Sequence, residues 1–340
     1  DTLLHGLNLL DIAPTLLALF GLPVGADMDG QPILGAFETC PKITTIPSWD
    51  EVSGEAGLHP QGFQLNPVEA QEAVQQLVDR GAQPSASAWE CAARVDLLFT
   101  SLPRPGDVED VMGGVDGALQ ALRPGSVWVD LTTNQLELVR ALADQAPHGV
   151  DVVDSPVTGA VDGARNGSLT LFVGGEETVV ERVIPVLENL GLVIPTGKLG
   201  SGNVVKLVTN QLWFVHAAAL GEGFALGMAN GVRLETLWYA IKESVADSFV
   251  ARHDAPSIFA GHYDPSFSLD LCVKDLKLIN ELSKVVRAKL PLTETAAEIF
   301  SQAANRYGHG AGELHVARKI EDDAQLSFRM EGDWTPPWEQ

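Results

Sequence analysis

Basic side chains are scarce in this chain: 22 lysines and arginines stand against 45 aspartates and glutamates, a formal net charge of −23. Such an excess disfavours nucleic acid and anionic membranes as partners. An anionic small molecule would have to find a local positive site, which one buried lysine could supply. Cysteine is scarcer still. Cys40, Cys91 and Cys272 are odd in number, widely spaced and without metal-ligand spacing, so they read as buried or free thiols in a reducing, cytoplasmic compartment. No apolar run reaches eighteen residues, so no membrane span is expected. Residues 7–24 are fairly apolar, but Asp11, Pro14 and Thr15 interrupt them and no basic stretch precedes them, which argues against a signal peptide. The chain opens on Asp1 rather than Met, as expected of a fragment or a processed product. With 340 residues and a hydrophobic fraction of 45%, there is ample chain for two domains with cores of their own.

What is present centres on Gly200-Ser201-Gly202-Asn203-Val204-Val205-Lys206-Leu207-Val208-Thr209-Asn210. A proline-free apolar run continues from there to about Asn230, and Ser201 offers an N-cap, so a long helix is expected to start near it. Lys206 and Asn210, four apart, share one face of that helix. Apolar neighbours on most sides make the lysine costly to bury unless it is paired or lines a wet cleft. The bland alternative is a stem that snorkels its charge to water. An all-round apolar helix also points to a wrapped core or a partner chain.

A second stretch lies about fifty residues upstream. Asp154-Ser155-Pro156-Val157-Thr158-Gly159-Ala160-Val161-Asp162-Gly163-Ala164 is followed by Asn166-Gly167-Ser168-Leu169-Thr170. A strand that ends in a turn of small residues with a hydroxyl can bring backbone N–H groups close to an anion. Together the two stretches resemble the β-hydroxyacid dehydrogenase family, which includes 3-hydroxyisobutyrate dehydrogenase and tartronate semialdehyde reductase. The family carries D-x-P-V-S-G-G-x-x-G-A-x-x-G-T-L and G-x-G-x-x-x-K-x-x-x-N. The second pattern is met at every fixed position; the first departs at Thr158, Ala160 and Ser168. The resemblance covers roughly residues 62–328.

It implies NAD(P)-dependent oxidation of a small β-hydroxyacid, or reduction of the matching semialdehyde. Lys206 is then the general acid/base on the alcohol oxygen, since burial in apolar surroundings favours the neutral amine such a role needs. Asn210 would hold the substrate hydroxyl or orient the lysine. Ser155, Thr158, Gly159 and Ala160 would receive the substrate carboxylate through hydroxyl and backbone donors. Asn66, Leu102, Pro103, Thr132, Thr133 and Lys274 are the implied cofactor contacts. For Leu102-Pro103 an ordinary strand stop is the competing reading, for Thr132-Thr133 a helix N-cap, and for Lys274 a surface charge pair with Asp275. The resemblance also implies a homodimer or homotetramer.

A full member of the family opens with a strand, a G-x-G-x-x-G turn and a helix that hold the cofactor pyrophosphate. Upstream of residue 62 there is no such turn; Gly21-Leu22-Pro23-Val24-Gly25 lacks the spacing and follows a helix pattern. The second strand, ending at Asn66-Pro67, has neither an acid for a ribose hydroxyl nor a base for a 2′-phosphate, which leaves NAD and NADP both open. The competing reading is therefore an inactive, truncated relative that serves as a small-acid-binding or oligomerising module.

Along the rest of the chain, residues 1–38 resemble the C-terminal tail of alkaline-phosphatase-superfamily phosphodiesterases and sulfatases, without the upstream metal ligands. His5, Asp11 and Asp27 read as a helix end and a turn, so no metal site is expected. Residues 39–61 read as a linker. From 62 to 197, strands and helices alternate, with helices at 67–80, 86–92, 107–121, 135–145 and 178–190. Strands are expected at 62–66, 96–103, 126–130, 150–153 and 169–175. That order argues a truncated, Rossmann-like, doubly wound parallel sheet. Residues 198–328 read as an all-α domain and 329–340 as an irregular tail.

Overall fold

The computed structural model describes residues 81–114, 116–263, 267–332 and 334, positions 75, 78 and 79, and a short parallel pair of strands, Val24–Gly25 with Thr45–Ile46. The expected strand at 62–66, with Asn66, and nearly all of the helix at 67–80 lie outside the described residues. Two compact units divide the chain, Asp1–Lys206 and Leu207–Gln340.

In the first unit, short apolar segments become strands, the second of them buried along its whole length and the last an edge strand with Leu192 and Ile194 exposed. The strands are β1 (Leu97–Thr100), β2 (Val127–Asp130), β3 (Asp151–Asp154), β4 (Val157–Thr158), β5 (Leu169–Gly174) and β6 (Gly191–Gly197). β1, β2 and β3 pair in parallel without register slip, so Thr100, Asp130 and Asp154 end side by side. β5 runs antiparallel to β3 and β4, and β6 pairs in parallel with β5. The pairs Asp154↔Gly174, Val157↔Leu171 and Thr158↔Thr170 belong to one ladder. Its interruption falls at Pro156, which has no N–H to give, although its carbonyl still accepts from Phe172 N–H at 3.0 Å.

Helices cover this sheet: α1 (Ala88–Ala92), α2 (Pro105–Met112), α3 (Ala118–Ala121), α4 (Leu136–Asp144), α5 (Ala160–Arg165) and α6 (Glu177–Leu187). Trp128, Val129, Val153, Leu171 and Val173 lie in the core between the layers. At about 25 cal/mol per Å² of apolar area removed from water, that burial is the main stabilising contribution.

Three expectations need correcting. The single helix expected over 107–121 is two, because the chain turns at Gly113-Gly114, where Gly114 has φ +77°. The stretch after Thr158, read as loop, contains α5. β6 was not foreseen, because Pro195 and two glycines mask its alternation; an edge strand tolerates that proline.

The long helix, α7 (Ser201–Ala229), runs on from this unit into the second. It is apolar and long enough, by length and composition, to cross a membrane. Its residues Asn203 and Asn210, however, bond to acidic side chains of the protein itself.

The second unit is helical: α8 (Leu234–Lys242), a π-helical turn at Val250–Asp254, α9 (Ala255–Ala260), α10 (Leu269–Val286), α11 (Pro291–Tyr307) and α12 (His315–Asp323). Ser268 caps α10 by accepting from Leu271 N–H, and Pro291 starts α11 at a position that needs no N–H. Phe214 and Phe300 meet edge to face, 5.1 Å between centroids, in a core shared with Phe224, Phe259 and Phe328.

Candidate active site

The carboxyl ends of β1, β2 and β3 are tied together by buried polar side chains. Thr100 Oγ1 accepts from the Trp128 indole (2.8 Å) and donates to Asp130 Oδ1 (2.9 Å). Asp130 also accepts from Thr132 N–H (3.0 Å) and from Asn134 Nδ2 (2.9 Å). Thr132 Oγ1 accepts in turn from Leu102 N–H at 3.0 Å. So Leu102 does more than stop a strand: its amide is fastened to the neighbouring strand's exit. Thr132 is not a helix cap, because α4 takes Gln135 at that position. Its hydroxyl holds the Leu102 loop, while Thr133 is half-buried beside it and Pro103 is exposed.

Asp154, at the end of β3, faces the start of α7. Gly200 N–H donates to its Oδ1 (2.6 Å), and Asn203 N–H and Nδ2 donate to its Oδ2 (2.7 and 3.1 Å). Asn203 Oδ1 accepts from Asn134 N–H at 2.7 Å, which closes the network back to Asp130. The expected Ser201 cap is therefore a correction. The helix begins at Ser201 itself, whose Oγ is bonded to Thr196 Oγ1 and whose N–H donates to the Lys198 carbonyl, while the aspartate of a distant strand accepts from Gly200 N–H just before the helix and from Asn203 N–H in its first turn. That close approach explains the glycines. Gly200 sits at φ +92°, and a Cβ on Gly202 would strike the carbonyl oxygen of Phe172.

Both acids are fully buried. Burial pushes the Asp154 carboxyl up to about 6, against its hydrogen bonds from Asn203 and Gly200, with the Asp130 charge adding to the rise. Burial likewise raises Asp130, against its bonds from Asn134, Thr132 and Thr100.

Lys206 is buried on the same helix, one turn beyond Asn203, and Asn210 follows one turn later, half-buried. In the second unit, Asn210 Nδ2 donates to Asp275 Oδ2 (2.7 Å), while Asp275 Oδ1 pairs with the Lys274 ammonium at 3.0 Å. Lys274 is thus held in a largely buried ion pair rather than a surface one. Further along α7, Trp213 donates its indole N–H to Asp254 Oδ2 at 2.8 Å, and Asp254 Oδ1 lies 2.8 Å from His253 Nδ1.

Of the residues singled out around Asp154, Ser155 is fully buried and its Oγ has no hydrogen-bond partner within the protein. Thr158 closes β4, and Gly159 and Ala160 follow it, exposed, at φ +122° and +51°. Sequence reasoning gave no site role to Asp130, Asn134, Asn203 and Asp254, and weighed Asp275 only as a surface partner of Lys274. The available signal for Asp130 and Asp154 was an acid closing an apolar strand, VWVD and DVVD. Among the described residues, no group of three or more His, Cys, Asp or Glu is placed to hold a metal.

Comparison with known proteins gives the family of the chain. Residues 57–200 match the family described as the NAD binding domain of 6-phosphogluconate dehydrogenase. Residues 200–320 match the one described as NAD-binding of NADP-dependent 3-hydroxyisobutyrate dehydrogenase. Fold and matches define an NAD(P)-dependent oxidoreductase.

Among curated proteins, the chain is 35% identical to the 2-(hydroxymethyl)glutarate dehydrogenase of Eubacterium barkeri, over 73% of this chain and 83% of that protein. It is 32% identical to the 3-hydroxyisobutyrate dehydrogenase of Pseudomonas aeruginosa, over 73% and 85%. Among solved structures, the 3-hydroxyisobutyrate dehydrogenase of Mycobacterium tuberculosis with L-serine superposes with a TM-score of 0.67 at 27% identity, over 74% of this chain and 88% of that one. The chain belongs to the β-hydroxyacid dehydrogenase family.

Proposed function

We propose that the strand-end network and the first turns of α7 form the active site of a dehydrogenase acting on a small β-hydroxyacid. Lys206 takes the proton of the substrate alcohol during oxidation and returns it in the reverse direction. Asn210 holds the hydroxyl oxygen or orients the lysine. The Thr158 hydroxyl and the backbone of Thr158, Gly159 and Ala160 receive the carboxylate, and Ser155 offers its unpartnered hydroxyl beside them. The observation that carries this reading is the anchorage of the lysine-bearing helix, through Asp154, to the ends of three parallel strands, the ordinary ligand edge of an open α/β sheet.

The residues present fit a nicotinamide cofactor at that edge. The Leu102-Pro103 loop is fastened at the carboxyl edge of the sheet, and Thr132 and Thr133 stand next to it. By the family resemblance Asn66, which lies outside the described residues, and Lys274 are the remaining expected cofactor contacts. When bound, NAD or NADP supplies the hydride acceptor. We further read residues 62–197 as the cofactor-binding domain and 198–328 as the helical one, in a cytoplasmic protein without membrane or nucleic-acid partners. A homodimer or homotetramer would cover Val208, Leu212 and Leu226, exposed on the face of α7 opposite Lys206. For residues 1–38 we keep the likeness to a phosphodiesterase tail, with no catalytic role.

The test is a substrate panel. 3-Hydroxyisobutyrate, 2-(hydroxymethyl)glutarate and L-serine are each incubated with NAD and with NADP, and nicotinamide reduction is followed at its near-ultraviolet band. Turnover of at least one pair is expected. A protein that binds neither cofactor up to millimolar concentration and reduces neither would overturn the reading.

A further inference from the structure

We infer that Asp154 is a positioning residue for Lys206, acting through the first turn of α7 with Asn203 as its bridge. The inference rests on the reading of Lys206 as the proton-transfer group and extends it to residues that no comparison assigns.

An α-helix leaves its first amides without partners, and the usual remedy is a side chain of the adjoining residues. Here both carboxylate oxygens of one aspartate, forty-six residues upstream of Gly200, supply the acceptors, at 2.6 Å for Gly200 N–H and 2.7 Å for Asn203 N–H. Two oxygens on two successive points of one turn fix both the height of the helix and its rotation. Asn203 adds a second fixing point, since its amide reaches Asp154 on one side and accepts from Asn134 N–H on the other. Lys206 follows three residues later on the same side of the helix. Its distance from the strand ends, where the cofactor and substrate are expected, is therefore set by this clamp. The surrounding chain is shaped for it: a Cβ at Gly174 or Gly202 would intrude on the Asp154 carboxylate.

The clamp is made for the ionised acid. All three contacts donate to Asp154, so a proton on either oxygen would face an N–H and release one anchor. The charged groups near it are Asp130 on the adjoining strand and, beside Gly200, Arg140 of α4. Of these, Asp130 acts on it by charge. The Asp154 carboxyl, raised by burial to about 6, then exchanges its proton in the mildly acidic range. Asp154→Asn reproduces the protonated state permanently, because the amide NH2 must face one of the two N–H groups.

The experiment compares wild type, Asp154→Asn, Asn203→Ala and Lys206→Ala as full chains. It measures kcat and KM across pH on the hydroxyacid turned over fastest in the panel above, together with amide hydrogen exchange at Gly200 and Asn203. In wild type, kcat falls as pH drops through about 6. In Asp154→Asn, kcat is expected to be lower on the order of 10- to 100-fold and flat through that limb, with cofactor KM within about twofold. The Gly200 and Asn203 amides exchange faster while those of β2 and β5 stay protected. If Asp154→Asn does not fold, Asn203→Ala carries the test, with about a tenfold loss of kcat and faster exchange at the same amides. Wild-type kcat and pH profile in the variant that folds, or unchanged exchange at both amides, overturns the inference. Full activity in Lys206→Ala overturns instead the assignment of the lysine, so the two failures are distinguishable.

Discussion

The side-chain amide of Asn210 is bonded through Nδ2 to Asp275, at 2.7 Å, so its carbonyl oxygen is directed away from that carboxylate. Asp275 is 1% exposed in its side chain and shares its other oxygen with Lys274 at 3.0 Å. One buried acid therefore fixes the amide orientation of the first residue and the ammonium of the second, both of which we assign to the active site.

Replacing that acid should show on two axes. Asp275→Asn removes the carboxylate that pairs with Lys274 and accepts from Asn210 in a largely buried place, and breaking such a pair from one side costs about 3 kcal/mol. The denaturant midpoint falls accordingly, and kcat drops on the order of tenfold as the Asn210 amide loses its fixed orientation. Urea unfolding and steady-state kinetics on the same preparation check both. A variant of unchanged stability would show that the pair contributes nothing.

The pH dependence of stability has a sign set by Asp154 and Asp130. Each carboxyl is raised in the folded state, mainly by burial. The folded protein therefore holds more protons than the unfolded chain over that interval, and stability falls as pH rises. For Asp154 the stabilisation is fully present below 3.8 and is lost as pH passes about 6, a contribution of roughly 3 kcal/mol. Asp130 acts in the same direction. The difference in unfolding free energy between wild type and Asp154→Asn, measured from pH 4 to pH 7, should follow that slope. A difference that stays level would contradict it.

How much of this was legible beforehand depends on the distance over which each feature is determined. The β1, β2 and β5 strands and the α7 helix follow from local patterning, because apolar runs and the absence of proline act within a few residues. The Lys206–Asn210 spacing is legible for the same reason. The helix cap is not: Ser201 satisfies every local rule, yet the acceptor comes from Asp154, and only the packed sheet end reveals it. Lys274-Asp275 likewise admits a surface charge pair until Asn210 is seen to donate to Asp275, and nothing local marks Asp254 before Trp213 is seen to donate to it. Pro195 misled in the opposite sense, since an edge strand accepts what a central one rejects.

Backbone strain offers a third prediction. Ala160 stands at φ +51°, in the left-handed region, where the resembling motif has glycine. A side chain there costs about 1 kcal/mol, so Ala160→Gly should raise stability by about that amount, less the added entropy of the unfolded chain. Gly200→Ala should do the reverse, because its φ is +92° and its Cβ would collide with Leu136. Thermal unfolding of the two variants reads the opposite shifts; a loss in the first would remove the strain argument.

The buried thiols give a fourth. Cys91 is pushed up to about 12 and Cys272 well above the usual thiol range, both chiefly by burial. Neither should react with a thiol-directed reagent at pH 8 in the native protein, and both should react in denaturant. Peptide mapping after labelling decides it, and native labelling of either site would contradict the packing around it.

The measurement that bears most directly on the account is the kcat of Lys206→Ala beside wild type, with NAD(P)H affinity followed in parallel by energy transfer from tryptophan. If Lys206 moves the proton, kcat falls by at least about two orders of magnitude while cofactor affinity and the fold are retained. Turnover at the wild-type rate would mean that the lysine is inherited structure and that another group carries the proton.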